Sequence, residues 1–374
     1  MVLRICEMIT ELRPAGAERC VYELATRLPR GRFAVEVVAL RGGAVAEALA
    51  AAGVPVHVIG VRGKLDLLRW RPLVRTLAAG RFDVLHTHLF HAGLLGAAAG
   101  RRAGIGRWVH SEHVVERRFR PWRFRWAARA GRRADRIVCV SQGVRADHQR
   151  RTGLDDGRYT VIHNGVDAAR YASGGAGRAA WRGRWGLGDR DVAAVFVGRL
   201  DRQKGIAVLL AAFDLAAAEH GSLHMVLAGD GPQRAAVERW RAGSPAGGRV
   251  HLLGHVDDVP GVLAGGDLFV QPSLWEGFCL AAAEAMAAGL PVAATDVPGL
   301  NEVVAADTAL LCPPGQAGAL AAALAALAAS ADLRRRLGAA GRARVEARFT
   351  LDRFVGAHAD LYEQVVQAEP VAGR

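Results

Sequence analysis

Residues 192–205 read VAAVFVGRLDRQKG. Six apolar residues, a length typical of a buried strand, lead into a loop with a glycine at each end, and an apolar helical stretch follows. Similar apolar runs alternate with Ala- and Leu-rich stretches along the whole chain, which is typical of parallel sheets covered by helices on both faces. Besides an opening strand, these runs lie at residues 35–40, 54–59, 84–86, 108–110, 137–140, 192–197, 224–228, 250–253, 268–271 and 291–295.

This alternation predicts an α/β protein built from two doubly wound, parallel-sheet domains that face a cleft. A chain of 374 residues has enough material for two buried cores. We expect one domain over residues 1–171 and a second over residues 192–348. Residues 172–191 are rich in Gly, Ala and Arg and predict an interdomain linker with one short helix near Trp181. Residues 349–374 contain a terminal helix, predicted over 351–366 from its apolar spacing.

The composition excludes several classes of protein. With 51% hydrophobic and 23% charged residues, the chain is typical of a folded globular protein. Its five cysteines are far apart, so neither a disulfide framework nor a zinc knuckle is predicted, and a reducing, cytoplasmic location is favoured. Arg4 and Glu7 interrupt the first apolar stretch, so we expect a strand there and no secretion signal. No apolar run reaches the length of a membrane span.

Charge is distributed unevenly. The first 184 residues carry 33 Arg and Lys against 15 Asp and Glu, whereas the remainder carries 16 against 21. Nine arginines lie between Arg117 and Arg136, together with the aromatic residues Phe119, Phe124, Trp122 and Trp126. Such a segment suits an anionic membrane surface, although a plain solvated helix has the same composition. Because no nucleic-acid module accompanies the charge, no nucleic-acid partner is expected.

Loops after the predicted strands hold the candidate functional residues, because ligands of parallel sheets bind at the carboxyl ends of the strands. Residues 13–18 could cradle a phosphate with backbone N–H groups, or could form an ordinary tight turn. Arg199 and Lys204 converge on the loop at 198–205 and predict an anion site, the alternative being a solvated loop. Lys204 and Lys64 are the only lysines among 49 basic residues.

Two glutamates follow a later strand. Glu276 and Glu284 are eight residues apart, and the second lies inside an otherwise apolar helical stretch. A carboxylate there needs hydrogen-bond donors, which ribose or sugar hydroxyls would supply. The alternative is a helix-capping Glu276 and an unrelated paired Glu284. Residues 227–232 (LAGDGP) partly match a dinucleotide fingerprint, but Arg234 replaces its third glycine and disfavours NAD.

Histidines are concentrated in a short part of the first half. A metal site is one interpretation, but His-x-His alternates across a strand, and packed core imidazoles explain these residues equally well. We therefore expect no metal. The cluster consists of His86, His88, His91, His110 and His113.

Taken together, these blocks resemble the retaining family 4 glycosyltransferases of GT-B architecture. The resemblance extends over nearly the whole chain, and its most specific element is the pair of glutamates separated by seven residues, followed by AAGLPV. The matching blocks are residues 15–18, 86–88, 161–167, 196–205, 227–232, 272–284 and 287–292. One departure is Ala15-Gly16, where the family has two glycines.

The resemblance implies a role for each block. The second domain would hold a nucleotide sugar, with its diphosphate on Arg199 and Lys204. Glu284 would bind the ribose and Glu276 the transferred sugar. Backbone amides would assist at Gly277, Phe278, Cys279 and Leu280, and the backbone from Leu253 to Val256 would meet the base. In the first domain, the resemblance implies phosphate contact at Gly16, a sugar contact at His110 with His113 as second choice, and an acceptor side that includes His88 and Asn164. The terminal helix would pack back on the first domain.

The implied reaction is transfer from a UDP- or GDP-sugar to a hydroxyl of a saccharide or a polyprenyl- or lipid-linked acceptor, in cell-envelope or exopolysaccharide synthesis. Fixed cations beside the diphosphate would stabilise the leaving group, so neither metal nor cofactor is expected. The only Asp-x-Asp motif, Asp189 to Asp191, falls in the predicted linker. We expect retention of anomeric configuration and peripheral association with the inner face of the membrane. Alternatives are a sugar-nucleotide epimerase, a non-catalytic glycan- or lipid-binding scaffold and, less favoured, a dehydrogenase.

Overall fold

The computed structural model describes residues 2–63, 66–115, 117, 120–172 and 175–369. Lys64 and two positions of the basic segment, Arg118 and Phe119, lie outside the described residues. The chain forms two compact units. The first is Met1–Asn164 together with Leu351–Arg374, and the second is Gly165–Thr350.

The first unit is built on a seven-stranded parallel sheet. Its strands are β1 (Leu3–Glu11), β2 (Phe33–Arg41), β3 (Val56–Val58), β4 (Val84–His88), β5 (Arg107–Glu112), β6 (Arg136–Cys139) and β7 (Tyr159–Val161). Its helices are α1 (Gly16–Arg27), α2 (Ala44–Ala51), α3 (Trp70–Ala79), α4 (Phe90–Arg102), α5 (Pro121–Gly131), α6 (Gln142–Thr152) and α16 (Leu351–Gln367). The spatial order is β3-β2-β1-β4-β5-β6-β7, so the direction of winding reverses between β1 and β4.

Helix α16 completes the core of the first unit. Its apolar face packs with Ile5 of β1 and Val109 of β5, and Phe354 and Tyr362 are buried in that cluster. The apolar residues recur at helical spacing, which gives α16 one continuous buried stripe.

The second unit has a six-stranded parallel sheet of similar design. Its strands are β8 (Val192–Val197), β9 (Leu223–Ala228), β10 (Val250–Gly254), β11 (Leu268–Gln271), β12 (Val292–Thr295) and β13 (Ala309–Cys312). Its helices are α7 (Ala168–Ala172), α8 (Gly175–Trp185), α9 (Ile206–Glu219), α10 (Arg234–Gly243), α11 (Val259–Gly265), α12 (Leu280–Ala287), α13 (Leu300–Val303), α14 (Ala317–Ala329) and α15 (Ala331–Arg348). The order β10-β9-β8-β11-β12-β13 reverses its winding between β8 and β11.

The apolar helix α14 is a core helix of the second unit. Leu320, Leu324 and Leu327 are buried in the main apolar cluster with residues of β8 and β9. Among the described residues no single helix is both long and apolar enough to cross a bilayer; α14 and α15 pass such a test only as a pair, across a bend of 104°.

Both sheets have the predicted parallel, doubly wound architecture, but two strands were not predicted. Strands β7 and β13 have only three and four residues and lie at the edges of their sheets. Short apolar runs such as these are ambiguous by pattern alone, and the equally short β3 was predicted only as part of the longer run at 54–59.

The segment predicted as a linker contains a helix at Trp181, as expected, but the whole segment belongs to the second unit. Helix α8 packs within the second unit, where Arg178 and Arg182 reach the carboxylate of Asp267 at 2.6 and 2.8 Å. The two arginines also donate to backbone carbonyls beside β11, including that of Gly266. The boundary of the second unit therefore falls at Gly165, ahead of residues 172–191.

Candidate functional site

Two loops meet where the winding of the second sheet reverses. Residues 198–205 follow β8, and residues 272–279 follow β11, its neighbour in the sheet. The backbone N–H of Leu274 donates to the carbonyl of Gln203 at 2.8 Å, and the Gln203 side chain donates to the Trp275 carbonyl at 3.3 Å. The carboxyl ends of strands at a reversal point form the usual ligand crevice of an open parallel sheet.

The close approach of these loops depends on glycine at position 205. Gly205 has a φ of +68°, and a Cβ atom there would lie 1.9 Å from the carbonyl oxygen of Pro272. Both the backbone conformation and the space exclude a larger residue. Gly205 thus holds Lys204 beside the second loop, at the start of α9.

The Lys204 ammonium forms an ion pair with Glu276. Nζ lies 2.6 Å from Oε1, and both side chains are largely buried. Ser273 donates to the same oxygen at 2.6 Å, and the Gln271 amide does so at 3.3 Å. Burial by itself disfavours the charged amine, but the Glu276 carboxylate outweighs it and raises the pKa of Lys204 to about 12. The Lys204 amine is therefore charged at neutral pH.

The second cation of the loop is more exposed. The Arg199 side chain is 58% exposed, and its guanidinium lies 2.7 Å from the buried carboxylate of Asp201. An exposed guanidinium held on one side by a carboxylate can still present other N–H groups to an anion.

Helix α12 begins directly beside the ion pair. Gly277, Phe278, Cys279 and Leu280 lead into its first turn, and Cys279 has a φ of +74°, an uncommon conformation for a residue with a side chain. The first N–H groups of a helix have no intrahelical partner and favour an anion. Burial raises the pKa of the Cys279 thiol to about 12, so it stays protonated.

The remaining predicted residues of the second unit lie on nearby elements. Glu284 is half-buried in α12, about one turn from its start. Leu253 is partly buried and lies one residue before the end of β10, and Val256 lies in the loop that follows. Gly229, after β9, pairs with Gly254 through an isolated bridge, which ties the end of β10 to the end of β9.

In the first unit, Gly16 opens α1 at the carboxyl end of β1. It is exposed, and the preceding Ala15 is extended and provides no side-chain cap. Asn164 is buried after β7, where its amide oxygen accepts from the thiol of Cys20, a residue of α1, at 3.2 Å.

His110 lies in the middle of β5 and is buried. Its Nδ1 contacts the Thr87 hydroxyl at 2.8 Å, and its Nε2 contacts Glu112 at 3.2 Å, an oxygen that also lies 3.2 Å from His148. Its ring borders a cavity of about 20 Å³ between β5 and α4, enough for about one water molecule. His110 is therefore a buried residue of the strand.

His113 lies immediately beyond the carboxyl end of β5. Its Nε2 is 2.9 Å from Nδ1 of His88, and Nε2 of His88 is 2.7 Å from the buried carboxylate of Glu7. His86 completes the group through contacts with the same carboxylate at 3.1 Å and with the Tyr362 hydroxyl at 2.7 Å. The ligand atoms of Glu7, His86 and His88 are close enough to hold a metal ion.

Comparisons with known proteins identify the family of this chain. The family described as Glycosyltransferase Family 4 matches residues 14–170, and the family described as Glycosyl transferases group 1 matches residues 177–344. Alpha-maltose-1-phosphate synthase of Mycolicibacterium smegmatis is 30% identical over 307 residues, which are 75% of this chain and 79% of that protein.

The chain belongs to glycosyltransferase family 4. A galactosyltransferase of Escherichia coli, described as UDP-Gal:alpha-D-GlcNAc-diphosphoundecaprenol alpha-1,3-galactosyltransferase, is 26% identical over 303 residues, 78% of each chain. Among solved structures, Anabaena HepE in complex with UDP-glucose has a TM-score of 0.88 at 23% identity and covers 97% of this chain and all of that one. The family 4 glycosyltransferase therefore has the GT-B fold that its motifs implied, and it is an enzyme of hexose transfer.

The structure of the glycosyltransferase also brings in residues that its sequence did not single out. Ser273 and Gln271 orient Glu276, and Tyr362 reaches Glu7 from the far end of the chain. The contact of Ser273 could have been predicted from the sequence, because Ser273 lies three residues before Glu276 in the same loop. The Tyr362 contact spans 355 residues and follows only from the docking of α16.

Proposed function

We propose that this glycosyltransferase transfers a sugar from a UDP- or GDP-sugar to a hydroxyl of a saccharide or lipid-linked acceptor, with retained configuration and without a metal. The observation that supports this most is the Lys204–Glu276 pair at 2.6 Å beside the first turn of α12. It joins a fixed cation, a helix N-terminus and a sugar-binding carboxylate at one strand-end crevice.

The positive charge in this crevice stabilises the diphosphate that leaves the donor. Breaking the bond between sugar and diphosphate leaves an anion and a sugar with cationic character. The Lys204 ammonium has three N–H donors, of which the bond to Glu276 occupies one. The remaining donors, Arg199 and the first amides of α12 stabilise the departing diphosphate as its charge develops.

Glu276 is oriented for a sugar hydroxyl. The bonds from Lys204, Ser273 and Gln271 converge on Oε1, so Oε2 is the oxygen that accepts from the transferred sugar. Glu284, farther along α12, accepts from the ribose. In these assignments, Glu276 binds the transferred sugar of the donor, and Glu284 binds its ribose.

A metal-free reaction is favoured by the position of the only Asp-x-Asp motif. Asp191 precedes β8, whereas Lys204 follows it, so the motif lies at the opposite end of the strand from the crevice. Its carboxylate accepts from the Gly188 N–H at 2.8 Å and stabilises that turn. We infer that Lys204 and Arg199 supply the positive charge at the diphosphate, and that the acceptor attacks from the leaving-group side.

His113 is a better substrate contact than His110. His113 lies at the strand end where ligands of parallel sheets bind, whereas His110 is enclosed between β5 and α4. We therefore assign the substrate contact of the first unit to His113.

A lipid-linked acceptor is favoured by one face of α5. Trp122, Arg125, Trp126 and Arg129 recur three or four residues apart and are exposed, whereas Phe124 is buried on the opposite side. Aromatic rings beside arginines are typical of helices that lie on an anionic membrane. Four arginines then line a surface groove below this face: Arg129, Arg132, Arg133 and Arg158. This surface supports peripheral association at the inner face of the membrane.

The donor assignment is tested by binding of UDP and GDP to Lys204→Ala, measured by calorimetry in the presence of EDTA. Loss of a charged hydrogen bond to the diphosphate should weaken binding about 30-fold or more. Arg202→Ala, an exposed arginine of the same loop, is the matched control and should bind like wild type. Equal affinities in all three proteins would contradict the assignment.

A second measurement separates transfer from epimerisation. Incubation with each donor alone should leave the configuration of the donor sugar unchanged. Conversion of a donor to its epimer without any acceptor would favour the epimerase instead.

A further inference from the structure

The buried group around Glu7 forms a continuous chain of contacts that ends at His113. Glu7 and His88 are fully buried, and the chain runs from the Glu7 carboxylate through His88 at 2.7 Å to His113 at 2.9 Å. All of its members belong to the first unit. The inference below rests on the proposed function, because it concerns the substrate contact assigned to His113.

The charges in this chain are determined by its surroundings. Burial would favour a neutral Glu7, but the adjoining His86 and His88 outweigh it and hold the pKa of that carboxyl well below its usual range. Burial lowers the pKa of His88 to about 4 and places that of His113 well below its usual value. At neutral pH the chain therefore contains an ionised carboxylate and neutral imidazoles.

Donors and acceptors can then be assigned in sequence. An ionised carboxylate only accepts, so Nε2 of His88 carries a hydrogen and donates to Glu7. A neutral imidazole has one N–H, so Nδ1 of His88 is an acceptor, and Nε2 of His113 must donate to it. The remaining nitrogen of His113, Nδ1, then carries a lone pair.

That nitrogen is an unsatisfied acceptor. Nδ1 of His113 is buried and has no hydrogen-bond partner among the residues the structure describes. A buried acceptor without a donor costs free energy, which a ligand hydroxyl would recover by donating to it. The ring as a whole is partly exposed at the strand end.

Helix α16 stabilises the other end of the chain. The Tyr362 hydroxyl donates to Oε1 of Glu7 at 2.7 Å, and His86 lies against both groups. His86 also contacts the Ser111 hydroxyl through Nε2 at 2.8 Å, so both of its nitrogens have partners. These contacts keep the carboxylate fixed in front of His88.

We propose that Glu7 and His88 are positioning residues that hold His113 as the Nε2–H tautomer, so that its Nδ1 accepts a hydrogen bond from a substrate hydroxyl. The same arrangement argues for a hydrogen-bonded chain at Glu7, His86 and His88 instead of a metal site, because the ring nitrogens that would bind a metal are engaged in these bonds.

The first test is the tautomer of His113 in the full-length wild-type protein, read by two-dimensional ¹⁵N NMR of the histidine rings. Its signal is assigned by its loss in His113→Asn. We expect a neutral ring protonated at Nε2. A ring protonated at Nδ1 or at both nitrogens would overturn the proposal, as would displacement of the His86 and His88 signals by stoichiometric Zn²⁺.

The second test compares two substitutions of His88. Asparagine places an amide oxygen near the position of Nδ1 and keeps an acceptor for His113, whereas leucine keeps the bulk and removes the acceptor. We expect His88→Leu to populate both His113 tautomers and to lower kcat about tenfold or more, and His88→Asn to retain the Nε2–H form and most of kcat. The same loss in both variants, with an unchanged tautomer, would overturn the proposal.

Tyr159→Phe is the matched control for disturbance of the buried core. Its hydroxyl contacts His148 at 2.9 Å in the same unit, away from Glu7. This variant should leave the His113 tautomer unchanged. Since the NMR measurement needs no turnover, an Nε2–H ring in a protein that transfers no sugar would contradict the proposed function and leave this inference intact.

Discussion

At the scale of single residues, Glu18 is a buried carboxyl with an unusual titration. It lies in the first turn of α1 and is 4% exposed. Burial, aided by the charge of Glu11, raises the pKa of Glu18 to about 7, although a backbone hydrogen bond works in the opposite direction. The native state therefore binds a proton more tightly than the unfolded chain does.

The sign of the pH effect follows from that difference. Because the folded pKa is raised, this group weakens stability as pH increases from its unfolded pKa, about 4.3, through its folded pKa near 7. Glu18→Gln removes the charge and should stabilise the first unit at pH 8 by about 1 to 3 kcal/mol, with no gain at pH 4. Thermal unfolding at both pH values measures this. Glu47→Gln, an exposed residue of α2, should change little. A gain of equal size at pH 4 would contradict the titration argument.

Individual candidate residues could be selected from the sequence, but their contact partners could not. Lys204 and Glu276 were both expected to bind the donor, but their ion pair joins residues 72 positions apart and depends on β8 lying beside β11. The family resemblance ranked His110 ahead of His113 for the sugar contact, whereas we propose the reverse order. Their difference is one of position, since one lies within β5 and the other just beyond it.

At the scale of elements, α5 carries a surface that can be tested directly. Arg125 and Arg129 are exposed on the same face as the two tryptophans. Arg123, in contrast, is partly buried and lies 5.6 Å over the Trp122 ring, so it supports the packing of that ring. Charge reversal at Arg125 and Arg129 therefore tests the surface charge without disturbing the packing of Trp122.

Arg125→Glu with Arg129→Glu should weaken binding to vesicles of anionic lipid by at least about tenfold, because each basic residue near the surface contributes about 1 kcal/mol. Co-sedimentation at low and high salt measures the effect, and binding of wild type should fall as salt screens the charges. The double reversal Arg71→Glu with Arg75→Glu, on exposed positions of α3, is the control. Equal loss in both double variants would show a dependence on net charge alone.

Most elements were predictable because their apolar patterns are strong. The alternation of apolar runs with helical stretches predicted the parallel sheets, and the spacing of apolar residues over 351–366 predicted α16. The exceptions have physical causes. Edge strands β7 and β13 were missed, because they are not part of a longer apolar run such as the one that contains β3. Helix α8 was expected near Trp181, but its attachment to Asp267 through Arg178 and Arg182 is a contact that composition does not reveal.

At the scale of the whole molecule, the two units share a topology but differ in charge. Both sheets reverse their winding next to their first strand, at β1–β4 and at β8–β11. The basic residues are concentrated in the first half, whereas Lys204 and Arg199 are local cations in an acidic second half. This difference in charge is consistent with the proposal that a few specific groups of the second unit bind the donor and that a broad basic surface of the first unit attracts the acceptor.

The central claim is that side-chain cations replace a metal at the diphosphate. It is tested most directly by the rate of sugar transfer with EDTA present, with the anomeric configuration of the product read by NMR. We predict an unchanged rate in EDTA, retained configuration, and a rate at least about 100-fold lower for Lys204→Ala. Loss of transfer in EDTA that Mg²⁺ or Mn²⁺ restores, or a Lys204→Ala enzyme as fast as wild type, would contradict the account.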